Sequence, residues 1–104
     1  LAFGGRNPAT GKQVMKAEDV PEVLAVMATA GLYDDTGKWL YRTGLPGKSG
    51  VGGGIIAVSP GKFGIAVISP PVDAAGNSVR AQLAIADISN ALGGNPYAQF
   101  GPAK

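Results

Sequence analysis

The chain has 104 residues, enough for one small domain. Its net charge is +2 and only 15% of its residues are charged, which argues against both a nucleic-acid-binding surface and a disordered chain. It contains no Cys and no His, which excludes disulfides, thiolate nucleophiles and a Ser-His-Asp triad among these residues. No apolar run approaches the ~20 residues that span a bilayer. We therefore expect residues 1–104 to form one domain or part of one, which binds neither nucleic acid nor membrane.

The first part of the chain is predicted to contain an irregular start and one helix. Residues 1–16 hold three turn signals in quick succession and are expected to be irregular. Apolar residues then recur at helical spacing, which predicts a helix at about 18–30. Asp19 and Glu22 have capping-box spacing at its start, and Gly31 is a suitable residue after its end.

The segment from Lys38 to Thr43 is ambiguous. Its aromatic residues favour a strand, whereas Thr36 as N-cap and Gly44 as the residue after the end favour two turns of helix. We predict the short helix.

The clearest strand signal lies in the middle of the chain. The apolar, β-branched runs Val51–Val58 and Phe63–Ser69 are separated by turn residues 59–62, which predicts an antiparallel hairpin. Because both runs are nearly continuous in apolar residues, both faces of the hairpin are expected to be covered.

A second long helix is predicted after the hairpin, over residues 78–92. Asn77 is a suitable N-cap, and the glycines at 93–94 end the helix. The tail over 95–104 is expected to be extended. The order of helix, hairpin and helix predicts an α+β fold, with helices packed on a small antiparallel sheet. The face of the second helix is predicted to consist of Ala81, Ala84, Ile85, Ile88 and Leu92.

Three short motifs match nucleotide-binding, catalytic or metal-binding patterns, but the secondary structure or the ligands that each function needs are not predicted around them. Residues 47–49 look like the end of a P-loop, yet Arg42 stands where the motif needs Gly, and a strand follows instead of a helix. Residues 59–62 match the S-x-x-K nucleophile and base, but a Pro-Gly turn does not bring the Lys onto the Ser. The carboxylates of Asp34 and Asp35 lack a third metal ligand at a recognisable spacing, and this segment is interpreted as a solvated turn.

The glycine-rich segment Gly50–Gly54 has two interpretations. Glycines in a strand allow either close packing of a helix or close approach of a ligand, including an oxyanion, to a backbone N–H. Tyr33, between a helix and a turn, is by itself interpreted as a packing residue with its hydroxyl at the rim.

Four segments resemble the C-terminal part of the bacterial-type serine-dependent glutaminases. The resemblance covers nearly the whole chain, and its most specific part is Lys-Ser-Gly-Val-Gly-Gly-Gly at 48–54 followed by Ser-Pro-Pro at 69–71. The segments are Gly31–Asp34, Gly44–Ile55, Pro60–Val67 and Ser69–Val79.

The resemblance implies a β-lactamase-like, penicillin-recognising serine fold, of which the hairpin and its flanking helices form a part. Such enzymes hydrolyse L-glutamine to L-glutamate and ammonia through an acyl-enzyme. Lys48, Ser49 and Gly50 resemble that fold's Lys-Ser/Thr-Gly box on a strand at the edge of the active site. By the same resemblance, Val51 binds substrate and supplies an oxyanion-hole N–H, and Tyr33 lines the substrate pocket.

The chain also departs from the family pattern. The helical S-x-x-K and the upstream substrate-binding residues are absent, so we expect no catalytic residue in this chain and no activity from it alone. Phe3 stands where the family tends to carry Asn. The resemblance implies L-glutamine and the N-terminal part of the enzyme as partners, no cofactor or metal, and a cytoplasmic homo-oligomer. Alternatives are a related amidase of the penicillin-recognising fold and a non-catalytic truncated module that acts by oligomerisation.

Overall fold

A computed structural model describes residues 1–98 of the chain. Most of the tail predicted to be extended therefore lies outside the described residues. Residues 1–16 consist of turns and isolated bridge residues, including the pair Arg6 and Gln13, as the turn signals predict.

The first two helices agree with the prediction. Helix α1 spans Val20–Ala30 after a 3₁₀ turn at Ala17–Asp19, and helix α2 spans Thr36–Thr43 after a 3₁₀ turn at Tyr33–Asp35. Gly44 ends α2 in the left-handed conformation at φ 66°, which glycine adopts without steric cost.

The predicted caps of these helices differ in detail. The side chain of Asp19 makes no capping hydrogen bond. Gly31 ends α1 with φ −73°, which is right-handed. Thr36 is the first residue of α2 rather than its N-cap, and its Oγ1 instead accepts the Leu32 N–H at 3.0 Å.

Helix α3 spans Val79–Ala91, close to the predicted range. Its N-cap is Ser78, whose Oγ accepts the Ala81 N–H at 3.1 Å, so the prediction of Asn77 as N-cap is wrong. The predicted apolar face is wrong at its C-terminal end, where Ile88 and Leu92 are exposed. The buried stripe follows positions four residues apart, Ala81, Ile85 and Ser89.

Three antiparallel strands form one sheet in the order β1-β2-β3. The strands are β1 (Gly47–Gly50), β2 (Gly54–Ser59) and β3 (Phe63–Ile68). The β2–β3 hairpin confirms the predicted antiparallel pairing. The predicted start of the first strand is wrong, because residues 51–53 form the turn between β1 and β2, with the Gly53 N–H donating to Gly50 O at 3.0 Å.

The two faces of the sheet differ in burial, so the expectation that both are covered is wrong for the described residues. Helix α3 packs against β2 and β3 on the inner face. The outer face carries Ile56, Ala66 and Ile68, and Ile68 is 80% exposed. Residues 1–98 cover that face only in part, through the N-terminal segment.

The main core lies between the inner face, α2 and α3. Trp39 is fully enclosed there, and its indole N–H donates to Leu45 O at 2.7 Å, which satisfies its one polar group. The core is formed by Leu32, Trp39, Leu45, Ile55, Ala57, Ala81 and Ile85. This packing fixes the turn before α2 relative to β1.

Candidate functional site

Three segments that are distant in sequence meet at one surface. They contribute Tyr33 before α2, Lys48 on β1, Val51 in the β1–β2 turn, and Gly76 in the loop before α3. Lys48 Nζ lies 4.9 Å from the centroid of the Tyr33 ring. A Cβ placed on Gly76 would lie 3.5 Å from Val51 Cγ1 and 3.9 Å from the Tyr33 ring. We call these four residues the Tyr33 cluster.

Tyr33 has an unusual backbone conformation. Its φ of 50° is the one positive value for a non-glycine residue among residues 1–98. Residues other than Gly rarely adopt this backbone conformation, and those that are held in it cluster at functional sites. Its side chain is 51% exposed. A residue in a sparsely populated backbone conformation therefore carries an aromatic ring and a hydroxyl that are exposed at the surface.

Lys48 and Ser49 point to opposite sides of β1. Lys48 is exposed and faces Tyr33. Ser49 is buried, and both its N–H and its hydroxyl donate to Gly31 O, at 3.1 and 3.4 Å. The structure thus brings Lys48 into the Tyr33 cluster, while the Ser49 hydroxyl ties β1 to the end of α1.

Val51 begins the β1–β2 turn and is 71% exposed. Among residues 1–98, its N–H has no hydrogen-bond acceptor, so the donor is free for a ligand. A Cβ built on Gly50 or on Gly52 meets no atom of residues 1–98 within 4 Å, so this part of the chain leaves open space beside that N–H. These glycines fit the interpretation of close ligand approach.

Gly53 has a different role from its neighbours. Its φ is 99°, and a Cβ there would lie 2.7 Å from Pro70 N. Its backbone is thus packed against the segment that follows β3. The glycine-rich segment therefore combines open space for a ligand with one position of close backbone packing.

The loop before α3 is held by a carboxylate that sequence reasoning missed. Asp73 Oδ1 accepts the N–H groups of Ala75, Gly76 and Asn77 at 3.0–3.1 Å. The side-chain amide of Asn77 donates to Leu32 O and to Asp35 Oδ2, both at 2.8 Å. These bonds join the loop to the turn that carries Tyr33. An Asp followed by Gly and Asn is a turn signal, but it does not indicate the distant partners.

A hydrogen bond in which protonated Asp35 would donate to ionised Asp73 separates the pKa values of the two carboxyls. This bond, followed by the Asn77 backbone N–H, lowers the pKa of Asp73 from 3.8 to about 2. The same bond raises the pKa of Asp35. The expectation of a solvated turn at 34–35 therefore holds for Asp34, which is exposed, and is wrong for Asp35, whose carboxyl is engaged by Asn77 and Asp73.

The S-x-x-K match at 59–62 is structural. Ser59 is buried, and its hydroxyl donates to Gly94 O at 3.3 Å. Lys62 Nζ donates to Gly93 O at 2.7 Å. Both side chains bind carbonyls just after α3, remote in sequence from the Tyr33 cluster.

Residues 1–98 contain neither a membrane-spanning helix nor a cluster of metal ligands. None of its helices is both long and apolar enough to cross a membrane. Within residues 1–98, no three His, Cys, Asp or Glu side chains are arranged to hold a metal ion.

Comparisons with known proteins agree on one family. The Glutaminase family profile matches residues 1–97. The chain is 63% identical over 97 residues to the glutaminase of Bordetella avium (strain 197N), a match that covers 93% of this chain and 31% of that protein. The solved structure of a probable glutaminase, ybaS, matches with a TM-score of 0.86 at 56% identity, over 91% of this chain and 31% of that one. Mglu in its glutamate form matches with a TM-score of 0.86 at 38% identity, over 96% and 23% of the two chains.

The chain spans about a third of the length of the curated relatives it matches. Its three-stranded antiparallel sheet and its helices form an α+β segment of the β-lactamase-like fold of the glutaminases, as the resemblance implied. The agreement of family profile, sequence identity and backbone geometry confirms that resemblance: the chain belongs to the glutaminase family.

Proposed function

We propose that the enzyme containing this chain hydrolyses L-glutamine to L-glutamate and ammonia through a serine acyl-enzyme. Residues 1–98 supply the oxyanion wall and one substrate wall of its active site. The observation that carries the proposal is the convergence of Tyr33, Lys48 and the unpaired N–H of Val51 on one exposed surface of a glutaminase-family chain.

The Val51 N–H is the proposed oxyanion donor. When a nucleophile attacks the side-chain amide of glutamine, negative charge builds on the carbonyl oxygen. A backbone donor already aimed at that position stabilises the charge without reorganising, and one such donor contributes about 3–4 kcal/mol. The open space over Gly50 and Gly52 admits the substrate.

Lys48 and Tyr33 are proposed to assist at the same surface. The Lys48 ammonium adds positive potential beside the developing oxyanion. The Tyr33 hydroxyl is a donor and acceptor suited to the polar groups of glutamine, and its ring lies beneath the Lys48 ammonium. Neither residue is the nucleophile, and Ser59 is engaged with Gly94.

The nucleophile and its base are proposed to come from the rest of the enzyme, which would also cover the outer face of the sheet. A groove of about 680 Å³ lies between that face and the N-terminal segment, with Ile56 and Ala66 among its lining residues. Beside it, Ile68 is 80% exposed on β3, whose far edge has no strand partner among residues 1–98. A large exposed apolar surface is typical of an interface.

Ammonia release from L-glutamine tests the proposal. The full-length enzyme is expected to release one ammonia for each glutamate formed. The isolated 104-residue chain is expected to release none, because it lacks an activated nucleophile. Ser59→Ala in the full-length enzyme is expected to leave turnover unchanged. Turnover of another amide without glutamine hydrolysis would refute the proposed substrate, and ammonia release by the isolated chain that Ser59→Ala abolishes would refute the assignment of the nucleophile.

A further inference from the structure

Asn77 is a fully buried polar residue whose side chain is not used for helix capping. Ser78 caps α3, which leaves the Asn77 amide free for other contacts. Its exposed fraction is 0%, and its Oδ1 is buried without a hydrogen-bond partner among residues 1–98. Burying an amide with an unsatisfied oxygen is unfavourable, so a residue kept there needs a compensating role.

The two bonds of the Asn77 amide fall on either side of Tyr33. Its Nδ2 donates to Leu32 O, one residue before Tyr33, and to Asp35 Oδ2, two residues after it. Thr36 Oγ1 adds a third restraint by donating to Tyr33 O at 2.7 Å. A non-glycine residue stays at positive φ only where its surroundings over-determine the backbone, and these bonds do so for Tyr33.

The loop that ends in Asn77 is held by hydrogen bonds to Asp73. Its backbone N–H groups converge on Asp73 Oδ1, and Gln82 on α3 donates to Asp73 Oδ2 at 3.2 Å. Gly76 in the same loop lies against the Tyr33 ring and Val51. Asn77 therefore connects this hydrogen-bonded loop before α3 to the turn that carries Tyr33.

We propose that Asn77 is a positioning residue for glutamine hydrolysis. Its side-chain amide holds the 3₁₀ turn Tyr33–Asp35, called here the Tyr33 turn, with Asp35 as its side-chain acceptor. The inference rests on the proposed function, in which Tyr33 binds substrate. Asn77 acts through Tyr33 and does not touch the substrate.

A double-mutant cycle between Asn77 and Tyr33 in the full-length enzyme separates positioning from a general structural role. Asn77→Asp keeps the size of the side chain but replaces the donor with a carboxylate facing Leu32 O and Asp35. A displacement of about 1 Å in a substrate-positioning group lowers the reaction rate by up to roughly 100-fold. We expect Asn77→Asp to lower kcat/KM by about 10- to 100-fold in the wild-type background and by less than about threefold in a Tyr33→Ala background.

Two further variants control for folding. Asn90→Asp makes the same change near the other end of α3, where the amide donates to Ala86 O and Arg42 O, and it should leave kcat/KM unchanged. Should Asn77→Asp fail to fold, the Asp35 pair replaces it. Asp35→Asn keeps an oxygen that accepts from Asn77 and should retain kcat/KM, whereas Asp35→Ala should lose it.

The outcomes separate this inference from the proposed function. An equal loss of kcat/KM in both backgrounds, or equal losses for Asp35→Asn and Asp35→Ala, would overturn the positioning role while glutamine hydrolysis stands. An unchanged kcat/KM in Tyr33→Ala would overturn it as well. If the wild-type enzyme does not hydrolyse glutamine, a crystal structure of the Asn77→Asp enzyme still decides: Tyr33 leaving positive φ supports the restraint, and Tyr33 unchanged refutes it.

Discussion

Gly31→Ala tests how closely the end of α1 approaches β1. Gly31 has φ −73°, a conformation that Ala also adopts, so the substitution introduces no torsional strain. Space is the obstacle: a Cβ on Gly31 would lie 1.7 Å from Gly47 O and 2.4 Å from Met27 O. Both neighbours are backbone atoms, which cannot move aside by a change of rotamer.

The expected cost follows from these distances. Carbon and carbonyl oxygen atoms ordinarily approach to about 3.3–3.6 Å, so Gly47 O must retreat by roughly 1.5 Å or more. That movement disturbs the pairing of Gly47 with Ala57 and stretches the Ser49 N–H bond to Gly31 O. Overpacking costs about 1–3 kcal/mol and a lost backbone hydrogen bond adds about 1 kcal/mol. We expect Gly31→Ala to destabilise the fold by about 2–4 kcal/mol.

Thermal unfolding of the full-length enzyme measures this loss. About 1 kcal/mol shifts the midpoint of a mid-sized domain by ~2–4 °C, so the expected drop is roughly 4–16 °C. Gly37→Ala is the matched control, because Gly37 lies within α2 and a Cβ there meets no atom of the described residues within 4 Å. Ala is favoured over Gly in a helix by up to about 1 kcal/mol, so the control should raise the midpoint slightly. A Gly31→Ala midpoint equal to that of wild type would contradict the steric argument.

Four further predictions concern the Tyr33 cluster and the Asp35–Asp73 carboxyl pair. Val51→Ala keeps the N–H and should leave kcat nearly unchanged, whereas Val51→Pro removes it and should lower kcat by about 100-fold or more; equal losses in variants shown to be folded by circular dichroism would assign the role to the side chain. Tyr33→Phe should raise KM or lower kcat by removing the hydroxyl, and unchanged kinetics would return Tyr33 to a packing role. The folded-state pKa of Asp73 is lowered from 3.8 to about 2, so its contribution to stability is present above about pH 4 and is lost as pH falls toward 2. Asp73→Asn should flatten that part of the stability profile, and an unchanged acid dependence would disprove the linkage. The pKa of Asp35 is raised, which has the opposite sign, so Asp35→Asn should stabilise the enzyme at neutral pH relative to acidic pH.

Local patterns in the sequence determined most of the elements. The helix at about 18–30 and the pairing of the runs at 51–58 and 63–69 follow from apolar periodicity and turn residues, which act over a few positions. The short helix before Gly44 follows from its end signals. Family resemblance, rather than periodicity, predicted Tyr33, Lys48 and Val51 to be site residues.

Tertiary structure decided the features that depend on partners far away in the chain. Asn77 and Ser78 are both good N-cap residues; Ser78 Oγ takes the cap, while the Asn77 amide donates to Leu32 O, 45 positions earlier. The strand at Gly47–Gly50 has little apolar character of its own and is defined by its pairing with β2. The Asp35–Asp73 pair is likewise brought together only by folding. Hydrogen bonds between such distant residues impose no periodicity on the sequence, so only the folded chain reveals which polar side chains hold the Tyr33 turn in place.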